Sequence, residues 1–371
     1  MVVPVLLFIV GLILLIKGGD WFVDGAVGIA RRFRLPEILI GATVVSIGTT
    51  LPEVMVSATS AVQGQSEMSY GNAIGSIICN TALIAAISVV ARPSAVNRKN
   101  LRLPVVFFFS AAVFYALISY LTGTFSRPVG IALLVVFAVY MALSVRDAKR
   151  SPALDPAGQA PENLRPVVSK TDVSDIAEAD SDAAAREPDG GQAPESSEPP
   201  EPTEPTAADR KRNRLLLWKD IALLVVGAAL IAVGARLLVK YGTEIAEALG
   251  VPSTVIALTF VALGTSLPEL ITAVTSLIKG HSSLSLGNII GANLFNLVLV
   301  SGMSITLRPF NIPATSFLGG VNTSLLIDIP LMFAVMLILT VPALLRGKLA
   351  RWQGILLLTL YAAFCVFQFV I

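Results

Sequence analysis

The stretch GTTLPE, Gly48 to Glu53, returns as GTSLPE, Gly264 to Glu269. Sliding the chain against itself by the same 216 residues carries Gly64 onto Gly280, and GNAIGSIICN (Gly71 to Asn80) onto GNIIGANLFN (Gly287 to Asn296). No gap is needed, and about 17 of the 40 positions from Gly41 to Asn80 match their partners. Two arbitrary apolar segments would share far fewer, so the chain carries an internal repeat.

Both copies lie in a strongly apolar chain. Of its 371 residues 54% are hydrophobic and 14% charged, and its mean hydropathy is +0.77. A soluble domain carries charge at about a quarter of its positions, so soluble, secreted, fibrous and nucleic-acid-binding classes are excluded. Setting aside about 70 Pro/Glu/Asp/Ala-rich residues, Arg146 to Arg214, leaves roughly 300, enough for about ten apolar helices of 20 residues. Apolar runs predict spans near 3–29, 38–62, 69–91, 104–121 and 128–145, then 215–239, 252–278, 284–305, 321–344 and 352–371. The expected fold is an all-α multi-pass membrane protein: a first membrane repeat over 1–145, a linker over 146–214 and a second repeat over 215–371.

Charge orients these spans. Basic residues cluster at Arg31, Arg32 and Arg34, at Arg92 to Arg102, at Arg146 to Arg150, at Arg210 to Arg214 and at Arg346 to Arg351, whereas the loops near Gln63 and Gly123 carry almost none. The positive-inside rule puts the clusters in the cytoplasm and both termini outside, in a cell membrane. With no basic leader and no small-residue cleavage site, Val2 to Phe22 reads as a retained first span. Each half has an odd number of spans and the linker returns to the side it left, so the halves insert as two inverted five-helix repeats. About 14 of the 25 acidic residues fall between Ser151 and Asp209. That segment lacks the apolar pattern needed to fold alone and is expected to be a disordered cytoplasmic tether; its acids have no EF-hand spacing that would make them a calcium sensor.

The remaining acids include two deep in apolar runs, Glu53 and Glu269. In the second span Ser46, Thr49, Thr50, Glu53, Ser57 and Ser60 recur at helical spacing, and in the seventh Thr265, Ser266, Glu269, Thr272 and Ser276 do, with Ala262 matching Ser46. Hydroxyls alone would be ordinary packing between membrane helices. An ionised carboxylate at mid-membrane, however, costs about 2.5–3.5 kcal/mol even on insertion scales. No Lys, Arg or His lies inside the second, third, seventh or eighth span, and Lys17 and Arg236 sit nearer the ends of theirs. Protons or metal ions are the remaining partners. Pro52 and Pro268 withdraw the N–H partners of the Gly48 and Gly264 carbonyls, so freed carbonyls, hydroxyls and a carboxylate converge in one turn of each half. Asn72, Ser76 and Asn80, and Asn288, Ala292 and Asn296, form matching stripes on the third and eighth spans. Such an all-oxygen set suits hard cations, and two glutamates balance one Ca²⁺. Cys79 and Cys365 read as packing thiols, and the single histidine, His281, as an ordinary loop residue with no nucleophile beside it; nothing points to an enzyme or to a cofactor.

These paired motifs resemble the two α-repeats of the cation/calcium exchanger superfamily, most closely its prokaryotic sodium/calcium branch, over essentially both membrane halves. The resemblance implies a core of spans 2, 3, 7 and 8 across which spans 1 and 6 slide. It also implies an ion-ligand set: Glu53, Thr49, Thr50, the Ser46 carbonyl, Ser76 and Asn80 from the first repeat, and Glu269, Thr265, Ser266, the Ala262 carbonyl and Asn296 from the second. Asn296 stands where the archaeal exchanger it resembles has Asp, and Ala292 where that has Ser, which bears on the number of sodium ions and on proton involvement. The expected function is antiport of Ca²⁺ against Na⁺ by alternating access. Proton-coupled calcium antiport ranks second, because members of that branch typically place acidic residues within the GN-containing helices, which here supply Asn80 and Asn296, and a cation channel ranks third.

Overall fold

The computed structural model describes residues 2–33, 35–150, 207–248, 264, 266–314 and 317–370. Ten long helices run through them: α1 (Val2–Arg32), α2 (Glu37–Val62), α3 (Met68–Ala91), α4 (Arg98–Thr122), α5 (Arg127–Arg150), α6 (Ala207–Ala248), α7 (Leu267–Ile278), α8 (Ser282–Leu307), α9 (Ser324–Arg346) and α10 (Arg351–Val370). Eight of these are long and apolar enough to cross a bilayer; α7 is the described part of the span expected over 252–278, whose residues 252–263 lie outside the described set. α1–α5 and α6–α10 are the two inverted repeats.

Several boundaries differ from the hydropathy reading. α4 begins at Arg98, six residues before the expected 104, with Asn97 capping it by accepting the Lys99 N–H at 3.1 Å. α5 runs on to Arg150 and α6 begins at Ala207, so both invade the expected linker, 146–214. Hydropathy marks only the stretch that prefers lipid, whereas Ala, Arg, Lys and Asp-containing turns beyond it can stay helical in water. The linker's remaining residues, 151–206, lie outside the described set. α9 begins three residues after the expected 321, because Phe317–Leu318 and Val321–Asn322 pair as a short antiparallel hairpin.

The repeat is visible in the turns. After α2 and after α7 the chain reverses through Gly64 and Gly280, each with φ +84°, a left-handed conformation that glycine adopts without steric cost. The hydrogen bonds agree as well: the Gln65 N–H donates to the Ser60 carbonyl at 2.8 Å and the His281 N–H to the Ser276 carbonyl at 2.7 Å. His281 is nevertheless not the plain loop residue expected. It is buried, and its Nδ1 lies 2.8 Å from Glu37 Oε1 at the start of α2.

The apolar interior falls into two main clusters. The larger joins α3, α4, α5, α8, α9 and α10, with Phe108, Tyr115, Tyr140 and Phe295 among its largest buried side chains. The second joins α1 to α6 through Leu15, Phe22, Ile231 and Ala235. α1 and α6 meet at glycines, where lipid gives no hydrophobic drive and close van der Waals approach must hold the pair: a Cβ on Gly18 would lie 2.9 Å from Ile231 N and one on Gly234 would lie 2.7 Å from the Gly11 carbonyl. Arg32 and Asp220 close this pair at one end, with Nη2 2.8 Å from Oδ2. Cys79 and Cys365 are free thiols, the first buried.

Candidate ion-binding site

α2, α3, α7 and α8 pack on one another at the centre of the molecule. Two glycine contacts draw α8 onto α2: a Cβ on Gly287 would lie 2.2 Å from the Ile38 carbonyl, and one on Gly291 2.3 Å from Ser46 Oγ. α3 and α8 each open into a π-helical turn, Asn80–Ala85 and Asn296–Val300, beginning at matched asparagines. A wider turn releases backbone groups and re-aims side chains, which is why such turns gather at functional sites. The Asn296 turn packs against α2 and the Asn80 turn against α7, so each amide is offered to the opposite repeat.

Around these turns stand the expected residues. Glu53 and Glu269 are both 0% exposed, and their carboxyl groups lie within each other's electrostatic reach, with Thr49 and Thr50 beside Glu269. Among the described residues none of the four carboxylate oxygens makes a hydrogen bond of good geometry, nor do Thr50 Oγ1, Ser266 Oγ, or the amide atoms of Asn80 and Asn296. Ser46, Thr49 and Ser76 are buried in the same helices. Among the described residues no cationic side chain pairs with either glutamate, and Lys17 and Arg236 are exposed. Thr265 and Ala262 lie outside the described residues.

The structure adds a supporting layer. Asn72 Nδ2 donates to the Glu53 carbonyl at 3.1 Å and to Ser57 Oγ at 2.7 Å. Asn288 Oδ1 accepts from Thr49 Oγ1 at 3.2 Å, which turns the Thr49 proton away and leaves lone pairs for the site. Ser46 Oγ lies 3.3 Å from the same Asn288 oxygen and gives its one proton to the nearer Gly41 carbonyl at 2.7 Å. The helical spacing of the asparagine stripes was the sequence signal for these contacts. The proline motifs differ in the described residues: Pro52 lies inside α2, whereas Ser266 is a turn and Pro268 falls in the first turn of α7. A small cleft between the α1/α6 pair and this core is lined by Phe22, Gly48, Thr49, Pro52, Ala228, Ile231, Ala232 and Pro268. It brings both proline motifs and Thr49 to the boundary between the α1/α6 pair and the core.

An inverted-repeat helical bundle with two buried carboxyl groups, without a cationic partner among the described residues, at the crossing of its repeats defines a membrane transporter of cations. The chain belongs to the family described as sodium/calcium exchanger protein, which it matches over residues 3–146 and 219–370. It is 32% identical to the sodium/calcium exchanger MaX1 of Methanosarcina acetivorans, over 99% of this chain and 98% of that one. An uncharacterised membrane protein of Methanocaldococcus jannaschii is 30% identical over 95% of this chain and 94% of its own. Among solved structures it is similar to the sodium–calcium exchanger NCX_Mj soaked with 10 mM Na⁺ and zero Ca²⁺, with a TM-score of 0.71, 28% identity and 98% of each chain covered.

Proposed function

We propose that this exchanger moves Ca²⁺ against Na⁺, both competing for one set of oxygens around Glu53 and Glu269. One observation carries the reading: two fully buried carboxyl groups, one from each repeat and close to each other, that no cationic side chain among the described residues pairs with. Uncompensated charge is costly in a low-dielectric interior, so the site calls for a cargo cation. Thr50, Asn80, Ser266 and Asn296 supply further unpartnered oxygens, and with Thr49, Thr265, Ser76 and the Ser46 and Ala262 carbonyls they make a hard-cation shell. The Thr265 and Ala262 contributions rest on the repeat alone.

Competition provides the coupling. A loaded site is electrically compensated and can be exposed to either side, whereas an empty one resists being sealed. The basic clusters set the orientation, with both termini outside and the 151–206 segment in the cytoplasm. Glu53→Gln and Glu269→Gln are expected to abolish sodium-driven uptake of radioactive calcium into inverted vesicles, and substantial uptake by both variants would refute the site. Uptake driven by a pH gradient in sodium-free medium would instead mark proton coupling, and calcium flux indifferent to opposing sodium would mark a channel.

A further inference from the structure

The two mouths of the molecule carry opposite charge arrangements at symmetry-matched positions. Lys279, at the end of α7, reaches across to α1: its Nζ is 2.7 Å from Asp24 Oδ1, 2.9 Å from the Asp20 carbonyl and 3.5 Å from Asp20 Oδ1. The 216-residue offset extends without a gap through α1 and α6, laying Gly11 on Gly227, Gly18 on Gly234 and Pro36 on Pro252. By that register Lys279 corresponds to Gln63, Asp20 to Arg236 and Asp24 to Lys240. A lysine facing two aspartates at one mouth is thus matched by a glutamine and two cations at the other. These three residues cannot pair with one another, and Lys240 lies over the Tyr241 ring at 5.1 Å.

Packing follows the charges. On the Lys279 side α1 is tight against α7, where a Cβ on Gly19 would lie 2.7 Å from Ile271 Cγ2 and 2.8 Å from Thr275 Oγ1. The counterparts of Leu267 and Ile271 are Leu51 and Met55; the first two are half-buried, while the latter are 52% and 61% exposed. One mouth is tightly packed and latched, and at its twin the matched side chains are more exposed.

We propose that Lys279, with Asp20 and Asp24, is a latch that holds the α1/α6 pair against the ion core and sets the resting state with the cytoplasmic mouth shut. The proposal rests on the exchange reading for its orientation. The pair must break when α1 leaves α7, and since both aspartates are substantially exposed its worth is that of a partly screened network, a shift of roughly two- to fivefold in the balance of the two states. The Gln63 mouth lacks the means to compensate, so the bias is written into the sequence asymmetry between the repeats.

The test uses the full chain in lipid vesicles with Cys79 and Cys365 replaced by serine and a single reporter, Thr275→Cys at the latched mouth or Thr59→Cys at its counterpart, labelled by a membrane-impermeant maleimide from each side. Lys279→Gln, which copies the residue of the other repeat, should raise Thr275→Cys labelling from the cytoplasmic side two- to fivefold and lower Thr59→Cys labelling from outside. Lys279→Arg should retain the wild-type ratio. Gln63→Glu, which offers Arg236 and Lys240 a partner, should shift the ratio in the same direction as Lys279→Gln without touching the latch. Unchanged labelling in both Lys279→Gln and Gln63→Glu would overturn the proposal. Labelling needs no cargo, so loss of calcium exchange in the wild type would sink the exchange reading while leaving this measurement intact.

Discussion

Glu53 and Glu269 depend on neighbours that keep the helices around them in register. Asn72 is one: it satisfies Ser57 Oγ and the Glu53 carbonyl from a different helix. Asn72→Ala would leave Ser57 to find a poorer partner in its own helix, a loss of about 1 kcal/mol, seen as a lower Tm of the purified protein. The Asn296 side chain has no such bond among the described residues. Asn296→Ala should therefore leave Tm nearly unchanged and raise the KM for calcium about tenfold, the effect of losing roughly 1.4 kcal/mol of ion binding; an unaltered KM would remove Asn296 from the site. The carboxylates, hydroxyls and asparagines were legible because helical spacing and the repeat put them on matched faces. His281 was not legible as a buried partner of Glu37, since the two are far apart in sequence and only the crossing of α2 with α8 joins them. The Asn288 contacts to Ser46 and Thr49 also join opposite repeats, which a self-alignment of the chain relates by symmetry but does not bring into contact.

Helices carry information that the repeat conceals. Gly71 and Gly287 are equivalent by sequence, yet nothing lies within 4 Å of a Cβ at Gly71, while one at Gly287 would strike the Ile38 backbone at 2.2 Å. Gly287→Ala is expected to push α8 from α2 and destabilise by about 1–3 kcal/mol, whereas Gly71→Ala should be neutral or stabilise by up to about 1 kcal/mol through helix propensity. Thermal melts of the two variants in the same detergent test this directly, and equal shifts would contradict it. Hydropathy located the apolar stretches, but the helices pass beyond them into charged turns, as at Arg98 and Arg150. The π-helical turns at Asn80 and Asn296 had no signature in residue type. They arise from packing across the repeats, which no local pattern encodes.

At the scale of the molecule, the buried apolar residues divide between the α1/α6 pair and the rest of the bundle. α1 and α6 are bound to each other by glycine contacts and by Arg32–Asp220, while α1 touches α7 through one tight glycine contact and the Lys279 network. Alternating access by sliding of the α1/α6 pair predicts that contacts within the pair persist through the cycle and contacts between pair and core do not. Crosslinking separates the two cases. In a chain with Cys79 and Cys365 replaced by serine, bridging Arg32→Cys to Asp220→Cys with a short bifunctional thiol reagent should leave most calcium exchange intact. Bridging Asp24→Cys to Lys279→Cys should stop it, with recovery on cleavage of a reducible linker. Both bridges join side chains already in contact, so they differ only in whether the joined helices move relative to one another. Equal inhibition by the two would mean that α1 and α6 do not travel as a unit, and equal tolerance would mean that α1 never leaves α7.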